Sequence, residues 1–341
     1  MTADEGRALV ARLLPESVRE RSGWATDIYA AFAALEIEPS RENLCSAIAV
    51  TGQESGFQAD PVVPGLPAIA RREIERRREA AGVPAFALEA ALALASGHGK
   101  SYGERLQTVR TERELNELFE DFIGRVPFGR SLLADRNPVR TAGPMQVSVA
   151  FAENFSARPY PYPVADSIRH EVFTRRGGVY FGIAHLLAYP ASYARPIYRF
   201  ADFNAGQYAS RNAAFQSAVS QVSGVPLELD GDLLRYDRGG PSVEAGSTEL
   251  ALRVLAKRLD LSNEAIRRDL EGEKAPAFEK SRLYARVFDL AEKASGKPVP
   301  RAVLPQIVLH SPKITRNLTS DWFANRVEVR YQACLKRAGP A

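Results

Sequence analysis

The chain is expected to be all-α, and three observations carry that expectation. Apolar residues recur at three- and four-residue spacing along most of the sequence, as in Leu9 and Leu13, then Trp24, Ile28, Phe32 and Leu35, and later Leu252, Leu255 and Leu259. Alternating apolar and polar runs are short and rare, and the segment Val303 to Leu309 is interrupted by Pro305, which a sheet interior does not accommodate. The sequence shows no internal repeat and no low-complexity tract that would suggest a solenoid or a fibre.

With 341 residues, 45% hydrophobic and 25% charged, the composition is that of an ordinary globular protein with chain enough for one large domain or two modest ones. The formal net charge of +4 is small against 45 basic and 41 acidic residues. It does not imply nucleic-acid binding and mildly favours an anionic cell-envelope polymer. No apolar run approaches the roughly 20 residues of a membrane-spanning helix. The chain opens Met1-Thr2-Ala3-Asp4-Glu5, without an apolar signal region. Cys45 and Cys334 are the only cysteines. They form either one long-range disulfide in an oxidising compartment or two buried thiols. No Cys/His spacing resembles a zinc site, and His98, His170, His185 and His310 are too scattered to suggest one.

In chain order, residues 1–60 supply entry helices and a helix that ends at Glu54, with a cap near Ser40 and Glu42 in its first turn. Residues 61–139 carry helices over Ile69 to Ala81, Phe86 to Ala95 and Glu112 to Ile123. In the first of these, Arg71, Arg72, Arg76, Arg77 and Arg78 interleave with Glu73, Glu75 and Glu79, the pattern of a salt-bridged, solvated helix surface. Residues 140–224 are again helical. From 225 onward come Gly231 to Asp237, a turn at Gly239-Gly240, and three or four more helices ending with Trp322 to Leu335. The glycine turn lacks the strand and Lys-Ser/Thr context of a phosphate loop and reads as a linker.

The residue of greatest chemical interest is Glu54. It closes the uncharged stretch Ala47-Ile48-Ala49-Val50-Thr51-Gly52-Gln53 and is followed by Ser55-Gly56-Phe57. Burial at the end of an apolar helix disfavours the charged form of a carboxylic acid, as a general acid working near neutral pH requires. Three further blocks follow in order: Arg140-Thr141-Ala142-Gly143-Pro144-Met145-Gln146-Val147-Ser148, Gly177-Gly178-Val179-Tyr180-Phe181-Gly182, and Tyr198-Arg199-Phe200-Ala201-Asp202-Phe203-Asn204-Ala205-Gly206.

Together the four blocks resemble the lytic transglycosylases of the Slt-type and goose-lysozyme-like group, in which E-S, G-L-M-Q, a G-x-x-Y-L helix and Y-N-A-G occur in this order. Pro144 stands here for the leucine, and Phe203 for the tyrosine. Further segments extend the likeness to the YaiW-type outer-membrane lipoproteins of proteobacteria over nearly the whole chain: Asn43 to Ser46, Pro138 to Arg140, Ala209 to Gln216, Gly231 to Asp237 and Ser311 to Thr319.

The resemblance implies a lysozyme-like core formed by residues 1–60 and 140–224, a helical insertion at 61–139 and a helical C-terminal extension at 225–341. It implies cleavage of the β-1,4 bond between N-acetylmuramic acid and N-acetylglucosamine in peptidoglycan. Glu54 would act first as acid and then as base. Ser55 would orient the Glu54 carboxyl or bind sugar, Met145 would line the floor, and Gln146 and Asn204 would hydrogen-bond substrate. Phe203 would complete the binding residues together with Tyr180, whose place on its helix also reads as a core position, and Gly143 and Gly206 would permit close backbone approach.

No second carboxylate is required, though Asp60, Asp135, Glu171 and Asp202 are candidates for one, which would make the site an inverting hydrolase. The alternative from a different class is a weak or inactive envelope lipoprotein that binds glycan or a protein partner through the same groove. The likeness also implies a periplasmic or outer-membrane location, with an N-terminal lipid anchor lying outside this chain as the only link to a membrane.

Overall fold

A computed structural model describes residues 2–97, 99–125, 129, 133, 136–237, 240–308 and 319–339. Helices take up 61% of the protein and strands 4%, so it is all-α, and the two small hairpins among the described residues act as shaped turns. Two compact units can be distinguished. The first comprises the residues up to Ser40 and Val50–Ile183. The second comprises Arg41–Ala49, the described part of Ala184–Leu309, and the C-terminal helix.

The first unit opens with α1 (Ala3–Leu13) and α2 (Arg21–Ala34). Helix α1 begins in a capping box: the Glu5 N–H donates to Thr2 Oγ1 at 3.2 Å, and the Thr2 N–H to Glu5 Oε2 at 2.7 Å. Val10 and Leu13 of α1 and Trp24, Ile28 and Phe32 of α2 are all buried, as the helical spacing requires. The last turn of α3 (Arg41–Glu54) belongs to this unit.

Next come α4 (Leu66–Ala80), α5 (Ala85–Ala93), α6 (Tyr102–Thr108) and α7 (Glu112–Arg125). Along α4 the arginines are paired as the sequence suggested. Glu73 takes Arg76 at 2.7 Å and Arg77 at 2.5 Å, Glu75 takes Arg78 at 2.6 Å, and Glu89 of α5 takes Arg71. The hydrogen bond from Arg76 is the largest influence holding the Glu73 carboxyl down to about 2. Helix α6 was not foreseen, although Ser101 and Glu104 form a second capping box at its start.

The antiparallel pair β1 (Thr141–Ala142) and β2 (Val147–Ser148), in register Thr141 to Ser148 and Ala142 to Val147, leads into α8 (Val149–Asn154) and α9 (Ile168–Val172). Helix α10 (Arg175–Leu187) begins in this unit. Arg175 Nε donates to Asp27 Oδ2 at 2.6 Å and Arg175 Nη1 to Glu20 Oε2 at 2.7 Å, which ties the start of α10 to α2.

The second unit contains α11 (Ile197–Ala205), α12 (Ala209–Ser223), the pair β3 (Tyr236–Asp237) and β4 (Gly240–Pro241), and α13 (Ser247–Val254). After these come α14 (Ala256–Leu259), α15 (Asn263–Leu270), α16 (Arg282–Ser295) and α17 (Ser320–Ala338). An aromatic group closes its core: Phe215 lies 5.1 Å from Phe278 and 5.8 Å from Tyr284, and Tyr284 lies 4.7 Å from Phe288. Leu252, Leu255 and Leu259 are buried in the same cluster. The fully buried Arg211 stacks its guanidinium over Tyr208 at 4.2 Å and donates to the Ala275 carbonyl at 3.0 Å, so the buried charge keeps partners. Cys45 of α3 and Cys334 of α17 form a disulfide with a Cα separation of 5.5 Å and a separation of 289 positions along the chain.

These units cut across the segment boundaries expected from the sequence. Residues 61–139, expected as a helical insertion, belong to the first unit with the hairpin, and residues 184–224, expected with the lysozyme-like core, fall with the C-terminal half. The cause of the second difference lies in α12. Its Ala214, Phe215, Ala218, Val219 and Val222 enter the core formed by Leu252, Leu255 and Phe288. The expected linker is also corrected, because Gly240 pairs with Asp237 in the β3–β4 turn. Val303 to Val308 is extended and enters neither hairpin among the described residues; Val308 forms an isolated antiparallel bridge with Thr319, and the Val303 N–H reaches the Ser210 carbonyl at 3.0 Å. His98, Asp135, Gly239, His310 and Ser311 to Leu318 lie outside the described residues.

Closing a loop of this length is worth on the order of 5 kcal/mol in the chain-entropy treatment, with typical measured values of about 2–4 kcal/mol. Replacing both Cys45 and Cys334 by alanine should therefore lower the unfolding free energy by about 2–4 kcal/mol in denaturant titrations. Wild-type protein treated with reductant should shift by a similar amount, and an unchanged midpoint would contradict the assignment.

Candidate functional site

In the first unit two of the four sequence blocks, the turn at Gly143 and the glycine strip of α10, pack against each other. The chain turns at Gly143, whose φ of 74° lies in the left-handed region, and a Cβ there would overlap the Val172 carbonyl oxygen and stand 3.2 Å from the Cα of Gly178. On α10, Gly178 and Gly182 lie one turn apart. A Cβ on Gly178 would meet the Pro144 ring and come within 2.8 Å of the Val172 carbonyl oxygen. A Cβ on Gly182 would come within 2.5 Å of the Cβ of Met145. The Gly143-Pro144-Met145 turn is thus seated on the helix where side chains are missing. Met145, expected to line a substrate floor, is fully buried against Gly182 and presents no exposed surface.

Gln146 follows at φ 49°, a left-handed conformation that a residue with a side chain rarely adopts. Its Nε2 donates to Glu112 Oε2 at 2.9 Å and to the Gly143 carbonyl at 3.1 Å, while Thr141 Oγ1 lies 3.4 Å from Oε1. Glu112, at 6% exposure, is a residue of this site that the sequence reading did not single out. The Thr111-to-Glu114 capping pattern places Glu112 at the first position of α7 but carries no sign of its contact with Gln146.

Glu54 stands at the end of α3, partly buried. Ser55 is buried, and its hydroxyl donates back to the Thr51 carbonyl at 3.2 Å, closing the last turn of the helix. The chain then leaves through two left-handed residues, Gly56 at φ 58° and Phe57 at φ 63°, and Phe57 packs edge-on against Trp24 with ring centroids 5.4 Å apart. That contact fixes the exit of the helix carrying Glu54.

Tyr180 is fully buried, and its hydroxyl donates to the carbonyls of Arg158 and Pro159 at 3.0 and 3.1 Å. Burial pushes the phenol up to about 12. It is a core residue of α10, with its polar atom already engaged.

Phe203, Asn204 and Gly206 belong to the second unit. Phe203 is buried and its ring meets His185 edge-on at 5.1 Å. His185 Nε2 lies 3.2 Å from the Phe203 carbonyl, and burial lowers the imidazole's affinity for a proton, so it is neutral near pH 7. Asn204 is exposed at the end of α11, and Gly206 leaves the helix at φ 107°, ψ 145°, a conformation open mainly to glycine.

Three of the candidate second carboxylates are already committed. Asp202 accepts from the Tyr189 and Tyr193 hydroxyls at 3.0 and 2.6 Å and from the N–H groups of Tyr208 and Ser210 at 3.1 and 2.7 Å. Burial pushes its carboxyl up, against those hydrogen bonds. Asp60 pairs with Arg113 at 3.0 Å. Glu171 accepts from Tyr160 at 2.6 Å and from two nitrogens of Arg176, each at 3.0 Å. A cleft of about 550 Å³ lies elsewhere, among α4, α5 and α6, lined in part by Pro67, Leu92, Ser101 and Gln107 and by none of the motif residues.

The seat makes a steric prediction. Gly143→Ala should lower stability by about 2–4 kcal/mol, because it adds both left-handed strain and overlap with a backbone oxygen that cannot swing away. Thermal unfolding compared with Gly206→Ala checks this, since Gly206 has open space around it and carries only the conformational term. Equal losses in the two variants would contradict the packing argument.

A second prediction concerns acid. Burial would raise the Glu171 carboxyl, but the hydrogen bonds from Arg176 and Tyr160 outweigh it and hold the group below the usual carboxylate range. A depressed carboxyl stabilises the fold above its unfolded value, and that contribution fades as pH falls through the folded value. Glu171→Gln should accordingly be less stable than wild type by about 1–3 kcal/mol at pH 7, with the gap narrowing below pH ~4.5. A gap independent of pH in denaturant titrations would refute it.

Comparison with known proteins places this arrangement in a family. Residues 17–337 match the family described as "Protein of unknown function (DUF1615)". The chain is 54% identical over 330 residues to the protein named "Uncharacterized protein YaiW" of Escherichia coli (strain K12), a match covering 97% of this chain and 89% of that one. No solved structure matches. The chain belongs to the DUF1615 family.

Proposed function

We propose that the protein is a peptidoglycan lytic transglycosylase with a lysozyme-like core, acting in the cell envelope. The observation that carries this reading is the seat described above. The Gly143-to-Gln146 turn and the Gly178-to-Gly182 strip are distant in sequence, yet they fit each other with no room for a methyl group. Two of the four motif blocks therefore pack on each other in the unit that also holds Glu54, and this supports the reading, while Phe203, Asn204 and Gly206 lie in the other unit.

In this reaction Glu54 donates its proton to the glycosidic oxygen as the bond to the anomeric carbon of N-acetylmuramic acid breaks. The C6 hydroxyl of the same sugar attacks that carbon, and the Glu54 carboxylate takes the hydroxyl proton. The products are a 1,6-anhydromuramyl end and a free 4-hydroxyl, with Glu54 protonated again. No water is consumed and no metal or cofactor takes part. The occupied states of Asp60, Glu171 and Asp202 support a single-acid route over an inverting hydrolase, which needs a second carboxylate to activate water.

A second reading is a weak or inactive envelope protein that binds glycan or a protein partner through the same residues. The Ser55 hydroxyl favours it, since it is turned to the Thr51 carbonyl, and so does the absence of a hydroxyl at Phe203. Digestion of murein sacculi, with the products resolved by mass, separates the two readings. The wild type should release anhydromuropeptides, and Glu54→Gln should reduce the rate on the order of 10²–10⁴-fold. Products with reducing ends would indicate a hydrolase, and binding without cleavage would favour the second reading.

A further inference from the structure

We propose that Glu112 is a positioning residue that locks the side-chain amide of Gln146, so that the Gln146 carbonyl oxygen is the atom offered to substrate. This position would then select a hydrogen-bond donor, such as a sugar hydroxyl or an acetamido N–H. The inference rests on the transglycosylase reading of the site.

The lock follows from hydrogen-bond types. A primary amide has two N–H donors and one carbonyl acceptor, whereas a carboxylate and a backbone carbonyl only accept. Gln146 Nε2 faces one of each, Glu112 Oε2 at 2.9 Å and the Gly143 carbonyl at 3.1 Å. Turning the amide over would set Oε1 against two acceptors and forfeit both bonds. Thr141 Oγ1, 3.4 Å from Oε1, is a donor on the correct side.

Glu112 is itself held firmly. Its helix begins at Thr111, whose Oγ1 takes the Glu114 N–H at 3.3 Å, while Glu114 Oε2 takes the Arg110 N–H at 2.6 Å. The buried Asn116, one turn on, ties α7 to the chain entering the hairpin. Its Oδ1 accepts from Asn137 Nδ2 at 2.8 Å, and Asn137 Oδ1 in turn accepts from the Val139 N–H at 2.9 Å. The inserted segment thus supplies a residue to the motif it interrupts.

The test uses the full chain labelled with ¹⁵N at glutamine, the Gln146 side-chain signals being assigned by their loss in Gln146→Asn. Glu112→Gln keeps the shape of the side chain and gives the position a donor, so the amide can turn. The two Nε2 protons should shift and exchange faster with solvent in that variant. On murein sacculi KM should rise about tenfold, with kcat and its pH profile much less affected. Unchanged Gln146 signals would overturn the proposal, and so would shifted signals with an unchanged KM. If the wild type releases no anhydromuropeptide, the transglycosylase reading fails separately. Titration with chitotetraose then decides the proposal: a ligand-induced shift at the Gln146 side chain that Glu112→Gln abolishes supports it, and no shift overturns it.

Discussion

Much of the first unit depends on one steric fact: two turns of α10 are left bare so that a loop from outside the helix can lie against them. Glycine inside a helix costs about 1 kcal/mol relative to alanine, so Gly178 and Gly182 weaken α10 taken alone. The loss is offset by contact. Pro144 and Met145 occupy the space where side chains would stand, and Gly143 approaches the Val172 carbonyl more closely than any other residue type allows. Once the turn is seated, the position of Gln146 follows, since it is the next residue and its backbone is confined to the left-handed region.

The polar groups of this unit obey the same economy of space. Glu112, Asn116, Asn137 and Glu171 are all nearly inaccessible to water, and each engages a partner among the described residues. Buried polar groups left without partners would each cost several kcal/mol, so these pairings specify which segments meet as well as stabilising them. The second unit solves the same problem differently. It gathers four donors on Asp202, stacks Arg211 on aromatic rings, and closes its longest loop covalently through Cys45 and Cys334.

The helical architecture was legible in the sequence because helix periodicity is a local property. Trp24, Ile28 and Phe32, or Leu252, Leu255 and Leu259, show their buried faces without reference to anything distant. The glutamates interleaved with the α4 arginines were legible for the same reason, their partners lying mostly three or four residues away. The unit boundaries were not, because the membership of α12 is decided by Phe278, Tyr284 and Phe288, some sixty or more positions further on. Glu112 was invisible as a site residue: nothing near it in the chain points to Gln146, 34 positions away. Tyr180 takes the core place that its position on the helix suggested rather than the substrate-facing one its motif implied, and the carbonyls of Arg158 and Pro159 claim its hydroxyl.

The most direct test of the account is a crystal structure of the Glu54→Gln protein soaked with an oligomer of alternating N-acetylglucosamine and N-acetylmuramic acid. The account predicts a glycosidic oxygen within hydrogen-bond distance of the residue 54 carboxamide, and a sugar donor on the Gln146 carbonyl oxygen. An oligomer lodged instead in the cleft among α4, α5 and α6, or one that touches neither residue 54 nor Gln146, would contradict it.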